Sequence, residues 1–276
     1  SFGILIGAVK IICATKGFTM NNKSNYRLGV DVGGTFTDFV LLDESNNEIH
    51  IAKSLTTPSD PSLGILAGVH AFDAACIDHV EQTRRFAHAT TLVANSVIER
   101  KGAVTGLLTT KGFRDILELR RHVRVTTYEL FADPPDPLVP RWLRLPINER
   151  VYSDGNILKP VQREDIENAV EVMRAENVTS VAIVFLHSYV NPQNEQTAAM
   201  YLKELAPDIA VTLSSEVLPQ IKEFERTSTT VVNAYVKPLA QQYLANLDKG
   251  LQSNKYKACL LYTSPSPRDR QKSRMP

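Results

Sequence analysis

The sequence predicts an α/β fold in which flanking helices cover a mixed β-sheet. Three apolar segments, at 27–33, 38–43 and 48–54, are joined by short connections, which predicts an antiparallel meander of strands. Helical and strand patterns alternate after the meander, and this alternation is typical of β-α-β units with parallel strands. The apolar run 180–186 has no alternation, which indicates a strand that is buried on both faces.

The other elements follow from apolar spacing and from helix-capping residues. Pro61 near the start of a helical pattern predicts a helix over 61–77. Pro238 interrupts the last helical pattern, so we expect a second helix from there to about residue 250. Further strands are expected at 84–88, 103–109 and 209–213, and further helices at 91–101, 163–176, 220–237 and after Asn191, with Pro192 at its first position.

Residues 118–150 combine many arginines and prolines with little periodicity. We therefore expect a long, insertion-like loop. Such a loop is either a solvated surface excursion or a docking surface for a partner, and the sequence leaves both interpretations open.

The composition argues against several classes of protein. The 276 residues carry a formal net charge of +1, which argues against a dedicated nucleic-acid surface. The apolar run from Ile4 to Val9 is too short to span a membrane and lacks the flanks of a signal peptide. The 3 cysteines have neither metal-ligand spacing nor the even number of a disulfide framework. We expect them to be reduced thiols of a cytoplasmic protein.

Both ends of the chain are expected to lie outside the fold. Residues 1–19 precede Met20, which we interpret as the natural start, so this leader is expected to be non-native or disordered. Residues 264–276 contain several prolines and a single apolar side chain, and cannot form a packed element. We interpret them as a foreign, disordered tail; a basic regulatory tail is the alternative.

The clearest functional motif is a glycine-containing turn between the first two predicted strands. Gly33 and Gly34 lack a Cβ, so an anion can approach the backbone N–H groups of the turn. Thr35 and Thr37 add hydroxyl donors, and Asp31 can hold an Mg²⁺ ion that bridges phosphate oxygens. These groups suit the phosphates of a nucleotide. The alternative is an ordinary hairpin whose polar side chains satisfy their own turn.

A second polar group lies where the strand at 84–88 is followed by a helix. Hydroxyl and amide side chains are expected to face the crevice at the carboxyl end of this strand. We assign substrate-binding roles to Thr90, Thr91 and Asn95, and catalytic roles to His88 and Glu99. Ala94, Val97 and Ile98 are expected to turn towards the core. The alternatives are structural: a helix cap, a satisfied strand-end histidine and a surface ion pair.

A third group lies on the helix expected at 220–237. The polar run 225–230 contains four consecutive hydroxyl residues, which is unusual for helix propensity. Arg226 within this run is a candidate for binding an anion or a substrate, with a solvated helix face as the alternative. His187, which follows the most buried strand, either serves the site or fixes its loop.

Five stretches of the sequence, taken in order, resemble one known family. The turn at Gly33 and Gly34 is similar to the first phosphate-binding segment of the actin, Hsp70 and sugar-kinase superfamily. With Phe36, Thr37 and Asp38 after it, the turn resembles the hydantoinase A and 5-oxoprolinase family. The other stretches begin at His88, Leu108, Phe185 and Ser214. The resemblance runs from about Arg27 to about Leu247 and implies a ribonuclease-H-like fold.

The resemblance also implies an activity and its cofactors. Proteins of this family use ATP and Mg²⁺ to open cyclic amides, such as hydantoins and 5-oxoproline, through a phosphorylated intermediate. Catalysis then depends on positioning and on charge neutralisation. Asp31 would take a catalytic role as the Mg²⁺ ligand, and the glycines and threonines of the turn would bind ATP. The alternatives are a ketone carboxylase subunit, a non-catalytic ATP-binding subunit and a small-molecule kinase.

The resemblance finally divides the chain. Residues 20–212 would form the N-terminal domain, and 213–263 the truncated start of a second, hydantoinase A domain. The family's second phosphate-binding turn is absent from this sequence, so we expect weak nucleotide binding and no turnover by this chain alone. The helices of 214–250 are expected to leave an apolar face bare. The family further implies a partner subunit of the hydantoinase B type and an oligomer.

Overall fold

The structure, a computed structural model, forms two compact units. The first unit comprises Ser1–Asn95 and Ala240–Pro276, and the second comprises Ser96–Leu239. These units are not the domains expected from the sequence, and the expected boundary at residue 212 stays a prediction. The structure describes residues 2–6, 9–13, 26–57, 60–74, 83–121, 128, 135–254 and 259–262.

Most of the predicted helices and strands are present within a few residues of their expected bounds. The chain begins with β1 (Phe2–Ile6), β2 (Val9–Cys13), β3 (Tyr26–Val32), β4 (Phe36–Asp43), β5 (Glu48–Leu55), α1 (Pro61–Ala74), β6 (Thr83–Thr90) and α2 (Leu92–Ile98). It continues with β7 (Thr105–Thr110), α3 (Ile116–Leu119), a 3-10 turn (Arg141–Leu143), β8 (Arg144–Ile147), β9 (Arg150–Val151), β10 (Ile157–Lys159) and α4 (Arg163–Ala175). It ends with β11 (Ser180–Val184), α5 (Gln193–Leu205), β12 (Ala210–Leu213), α6 (Ser214–Val217), α7 (Glu223–Ser253) and β13 (Cys259–Tyr262).

The sheet of the first unit has the strand order β1-β2-β5-β4-β3-β6-β13. The first five of these strands pair antiparallel, whereas β6 pairs parallel with both β3 and β13. The predicted meander and mixed sheet are therefore confirmed. Helix α1 covers one face of the sheet, where the rings of Phe39 and Phe72 meet edge to face with centroids 6.4 Å apart. Asp31 lies on the opposite face, among the exposed residues of β3.

The N-terminal segment, residues 1–19, extends the sheet of the first unit. Strands β1 and β2 form within it, and β2 pairs antiparallel with β5. The backbone N–H and C=O groups along the edge of β5 explain the pairing, because an open edge accepts a further strand. The expectation that residues 1–19 are a non-native or disordered leader stays a prediction. The expected tail, 264–276, lies outside the described residues.

The principal sheet of the second unit has the order β12-β11-β7-β8, and its strands are all parallel. β11 is buried along its whole length, as its lack of alternation predicts. Ile166 and Met173 of α4 and Leu202 of α5 belong to the core of this unit. A separate antiparallel pair joins β9 to β10.

The predicted loop at 118–150 contains regular structure, which corrects the prediction. β8 lies within it and extends the parallel sheet beside β7. Arginine side chains fix this segment: Nε of Arg144 donates to the carbonyl of Val139 at 3.0 Å, and Arg141 forms a 2.8 Å ion pair with Asp115. The sequence did not indicate β8 because the strand begins with Arg144, and arginine is rarely buried. The parts of the loop at 122–127 and 129–134 lie outside the described residues.

Helix α7 continues through Pro238, where two helices are expected. Proline has no N–H, so the helix loses one backbone hydrogen bond at this position. Packing on both sides of the proline preserves the helix, since Val231 and Ala234 lie in the core of the second unit and Leu247 in the core of the first. These buried side chains also contradict the expectation of a bare apolar face on 214–250.

Helix α2 is shorter than the expected helix at 91–101. Arg100 adopts a left-handed φ of 57°, a conformation that ends helices. Ile98 is 78% exposed and Ala94 is also exposed, whereas Ser96 is buried. The prediction that the apolar residues of this helix face the core is therefore wrong for these two positions.

The helices of the described residues include none with both the length and the apolar composition needed to cross a membrane.

Gly68 in α1 is predicted to be essential for packing in the first unit. A Cβ at this position would lie 2.0 Å from the ring of Phe39, which is fully buried. Gly68→Ala should lower the free energy of unfolding by about 1–3 kcal/mol because the added methyl group would overlap this buried ring. Gly29→Ala is the matched control, since the nearest atom to its Cβ is 3.8 Å away. Urea unfolding that shows equal losses for both variants would contradict this packing.

Candidate active site

The turn between β3 and β4 presents backbone donors to solvent. The N–H of Gly33 donates to the carbonyl of Phe36 at 3.0 Å and closes the turn. Within the described part of the chain, the N–H groups of Gly34 and Thr35 have no hydrogen-bond acceptor, and both residues are exposed. Two adjacent free amides at the end of a strand form a site suited to an anion.

Thr56, which follows β5, holds this turn in place. Its hydroxyl donates to the carbonyl of Gly33 at 3.0 Å, and its N–H donates to the carbonyl of Thr35 at 3.0 Å. The Thr37 hydroxyl lies 2.9 Å from that of Thr56, and Thr37 is fully buried. Thr37 therefore supports the turn from behind. Its expected direct contact with a phosphate has no support in this geometry.

Asp31 lies just before the turn on the exposed face of β3. Among the described residues, no ion pair or hydrogen bond occupies its carboxylate. Its neighbour across the ladder, Asp38, is instead paired with Lys53 at 2.9 Å. Asp31 thus remains available to a ligand.

The residues at this turn fit an Mg²⁺ ion that arrives with a phosphate. No group of three His, Cys, Asp or Glu side chains in the described residues could hold a metal ion alone. Mg²⁺ usually binds proteins through one or two carboxylates and takes its other ligands from water and substrate phosphates. Asp31 supplies one such carboxylate.

The connection from β6 to α2 lies beside the same turn. The N–H of Thr91 donates to the carbonyl of Val32 at 3.2 Å, and the Thr90 hydroxyl accepts from the N–H of Leu92 at 3.1 Å. The Asn95 side-chain amide donates to the Thr91 hydroxyl at 3.2 Å. A Cβ on Gly34 would lie 3.4 Å from that amide nitrogen, so the amide borders the turn. The first unit therefore brings the turn and Asp31 together with the predicted substrate-binding residues Thr90, Thr91 and Asn95.

His88 lies on the other face of the sheet. In the parallel ladder it pairs with Val30, and both side chains are buried, whereas Asp31 pairs with Ala89 on the exposed face. Its Nε2 contacts the hydroxyl of Tyr243. Burial lowers the pKa of His88 to about 4, so the imidazole is neutral at physiological pH. This geometry favours the structural alternative for His88, and its catalytic role stays a prediction.

Glu99 and Arg226 belong to the second unit. Glu99 follows α2 and is half exposed, and its carboxylate forms an ion pair with Lys101 at 2.7 Å. Arg226 is buried on α7, and its Nη2 donates to the carbonyl of Phe185 at 2.9 Å. The solvated-face alternative for Arg226 is therefore wrong.

Sequence reasoning missed the residues that support these groups. Thr56 and Tyr243 act through contacts with partners that are distant in the chain, and no local motif marks either one. In the second unit, buried Glu195 accepts from the N–H of Phe185 at 3.0 Å and from the Ser214 hydroxyl at 2.6 Å. The only indication of Glu195 in the sequence was that a charged residue occurs within an amphipathic helix.

A second buried carboxylate also escaped the sequence analysis. Glu149 contacts the Thr110 hydroxyl and accepts from the side-chain amide of Asn194 at 2.7 Å. Burial raises the pKa of Glu149, while these hydrogen bonds oppose the increase. Through these hydrogen bonds, Glu149 connects the segment after β8 to the end of β7 and to α5.

Comparison with known proteins decides the family. Residues 27–206 match the hydantoinase/oxoprolinase N-terminal region. The chain belongs to the hydantoinase/oxoprolinase family. Its resemblance to that family, first drawn from the glycine turn and four further stretches, is therefore confirmed.

The chain is also similar to individual proteins in sequence and in structure. The chain is 39% identical over 233 residues to caprolactamase subunit alpha of Pseudomonas jessenii, covering 82% of this chain and 33% of that protein. The crystal structure of the ATP-dependent caprolactamase matches with a TM-score of 0.78 and 37% identity, over 86% of this chain and 35% of that one. The acetophenone carboxylase gamma subunit of Aromatoleum aromaticum is 31% identical over 251 residues, covering 85% of this chain and 34% of that protein.

These matches confirm the fold class and place the similarity in one part of longer proteins. The chain spans about a third of the length of the caprolactamase and acetophenone carboxylase relatives. The match to the N-terminal region of the family agrees with the interpretation of this sequence as an N-terminal portion.

Buried His88 is predicted to make the stability of the chain depend on pH. The unfolded histidine takes up a proton near pH 6.5, whereas the folded one does so only near pH 4, so the unfolded state binds more protons in between. The free energy of unfolding should therefore fall as the pH drops from 6.5 to about 4, by up to about 1.4 kcal/mol per pH unit.

Urea unfolding of His88→Phe across this pH range tests the assignment. The variant should lack this part of the pH dependence. Tyr243→Phe is the control, since it keeps a buried imidazole and should retain the dependence. An unchanged slope in His88→Phe would show that other groups cause it.

Proposed function

We propose that this chain supplies the ATP-binding segment of an ATP-dependent enzyme that opens cyclic amides. The observation that carries the proposal is the exposed turn at Gly34 and Thr35, whose amides have no acceptor among the described residues and which lies next to the carboxylate of Asp31. This combination of amide donors and an oxygen ligand suits a phosphate group with its Mg²⁺ ion.

Each residue of the site has a distinct role in this proposal. The N–H groups of Gly34 and Thr35 bind phosphate oxygens, and the absence of a Cβ at Gly33 and Gly34 lets the phosphate approach. Asp31 holds Mg²⁺, which when bound neutralises phosphate charge during transfer. The side-chain amide of Asn95, held by Thr91 at 3.2 Å, donates from the other side of the turn.

Cyclic amides are the substrate class that the relatives favour. The caprolactamase relative is named for a lactam, and the family description names hydantoinase and oxoprolinase. A lactam carbonyl is a poor electrophile, and transfer of a phosphoryl group to its oxygen would open the ring carbon to water. Positioning and charge neutralisation are then the main requirements on the protein.

A ketone carboxylase subunit is the second candidate function. The 31% identity with the acetophenone carboxylase gamma subunit is the observation that favours it. ATP consumption by the complete protein distinguishes the two candidates: a lactam alone should stimulate it in the first case, and a ketone with bicarbonate in the second. A complete protein that hydrolyses no ATP with either would favour a non-catalytic ATP-binding subunit.

A partner subunit of the hydantoinase B type, within an oligomer, is a further part of the proposal. The support is that both the caprolactamase and the carboxylase relatives are named as subunits. We also propose a cytoplasmic location, on the basis of the small number of cysteines and their lack of a disulfide framework.

Asp31→Asn in the complete protein is predicted to reduce substrate-stimulated ATP hydrolysis by about 100-fold or more, because it removes the charged Mg²⁺ ligand. Asp38→Asn is the matched control, since Asp38 lies opposite on the neighbouring strand but is paired with Lys53. This control should keep its activity. Steady-state rates with saturating Mg·ATP measure both variants, and full turnover by Asp31→Asn would contradict the proposed site.

A further inference from the structure

One face of the sheet in the first unit carries an exposed apolar patch on β4 and β5. Val40 of β4 lies directly opposite Ile51 of β5, and Phe36 lies opposite Leu55. These four side chains are 42–53% exposed, and Ile49, on the same face of β5, is 49% exposed. Because cross-strand partners contact each other, the five side chains form one continuous surface, the β4–β5 patch. Contiguous exposed patches of large apolar side chains mark interaction surfaces.

The alternation along β5 indicates that this face is built for burial. His50, Ala52 and Ser54 are buried on the inner face of the strand, whereas Ile51 and Leu55 are exposed on its outer face. A strand with one face in water normally carries apolar residues on its inner face and polar residues on its outer face. β5 has the reverse pattern, so its outer face requires a cover as well.

Helices α1 and α7 both cover the opposite face of this sheet. Phe72 of α1 and Leu247 of α7 belong to one core together with Leu28 of β3 and Phe39 of β4. In the second unit, by contrast, β7 and β11 are buried along their whole length, so that sheet is covered on both faces. The residues that the structure describes therefore cover the sheet of the first unit on one face only.

Charged residues border the patch and leave it electrically neutral. On β3 and β6 the outer face includes Arg27, Asp31 and Arg85, which are exposed as expected of strands in water. Within the patch, Asp38 and Lys53 form an ion pair at 2.9 Å, so their charges compensate each other. A neutral apolar surface between charged borders fits an apolar stripe better than a strongly acidic or basic partner.

The width of the patch matches a single α-helix. Neighbouring strands lie about 4.8 Å apart and a helix with its side chains is about 10 Å across, so one helix covers two strands.

The length of the relatives favours a helix of the same polypeptide. The chain spans 33% of caprolactamase subunit alpha and 35% of the crystallised caprolactamase, so most of each of those proteins lies outside the matched region. A helix that is tethered to the same chain has a high effective concentration at the patch. This gives it an advantage over a second copy of the chain or a separate subunit.

We infer that an amphipathic helix of the complete protein, from a part of the polypeptide outside this sequence, packs its apolar stripe on the β4–β5 patch. Val40 and Ile51 lie at the centre of the contact, and the polar side of the helix faces solvent. The sheet then has helices on both faces, as in other layered α/β folds. The inference concerns the architecture of the complete protein and does not depend on the proposed nucleotide site.

Hydroxyl-radical footprinting of the chain and of the complete protein tests whether the patch is covered. Oxidation of Phe36, Ile51 and Leu55, read by mass spectrometry, should be several-fold slower in the complete protein, because these half-exposed side chains become buried. Ile98, which is 78% exposed on α2 and lies outside the patch, is the internal control and should be oxidised equally in both. Equal oxidation of the patch residues in the two proteins would overturn the inference.

Ile51→Glu distinguishes a covered patch from an exposed strand. In the chain, the half-exposed position tolerates a charge, so the urea midpoint should change little. In the complete protein the charge would be buried under the helix, so the midpoint should fall and oxidation of Phe36 and Leu55 should rise. Ile98→Glu is the matched control and should leave both midpoints unchanged. An equal effect of Ile51→Glu in the chain and in the complete protein would contradict the inference.

A photo-cross-linking residue, p-benzoylphenylalanine, in place of Val40 in the complete protein identifies what covers the patch. After irradiation and proteolysis, mass spectrometry should find position 40 linked to a peptide of the same polypeptide whose apolar residues have helical spacing. A covalent dimer of the protein, or a link to a separate subunit, would overturn the inference.

Discussion

The parallel pairing of β3 with β6 is the constraint on which the candidate site depends. Its register joins Val32 to Thr90, at the ends of both strands, and the N–H of Thr91 continues the pairing to the carbonyl of Val32 at 3.2 Å. Two segments that are far apart in sequence therefore end at the same edge of the sheet. The glycine turn and the Asn95 amide become neighbours only through this register.

Both units place polar groups at the ends of strands and support them by buried contacts. In the first unit, Thr56 holds the turn through two backbone carbonyls, which leaves the amides of the turn free. In the second unit, the Arg226 guanidinium is fixed by the carbonyl of Phe185 and by the ring of Tyr189. In each unit, contacts with residues that are distant in sequence therefore hold these polar groups in place.

Much of the fold could be predicted from the sequence because its signals are local. The meander, the buried β11 and the glycine turn each follow from a few adjacent residues. The contacts that give Thr37 and His88 their positions are not local: Thr37 pairs with Thr56, and His88 contacts Tyr243, which lies 155 residues further along the chain. Such contacts depend on how the elements pack and leave no local signal in the sequence. Sequence reasoning therefore assigned both residues to the site, without any indication of these supporting contacts.

Binding of the phosphates of a nucleotide by the turn at Gly34 and Thr35 is open to a direct test. Amide chemical shifts of these two residues, recorded while Mg·ATP is titrated onto the chain, test it most directly. Both amides should shift progressively with Mg·ATP and remain unchanged with Mg²⁺ alone, because phosphate oxygens supply the missing acceptors. Saturation of the chain with Mg·ATP without any shift at Gly34 and Thr35 would contradict phosphate binding at this turn.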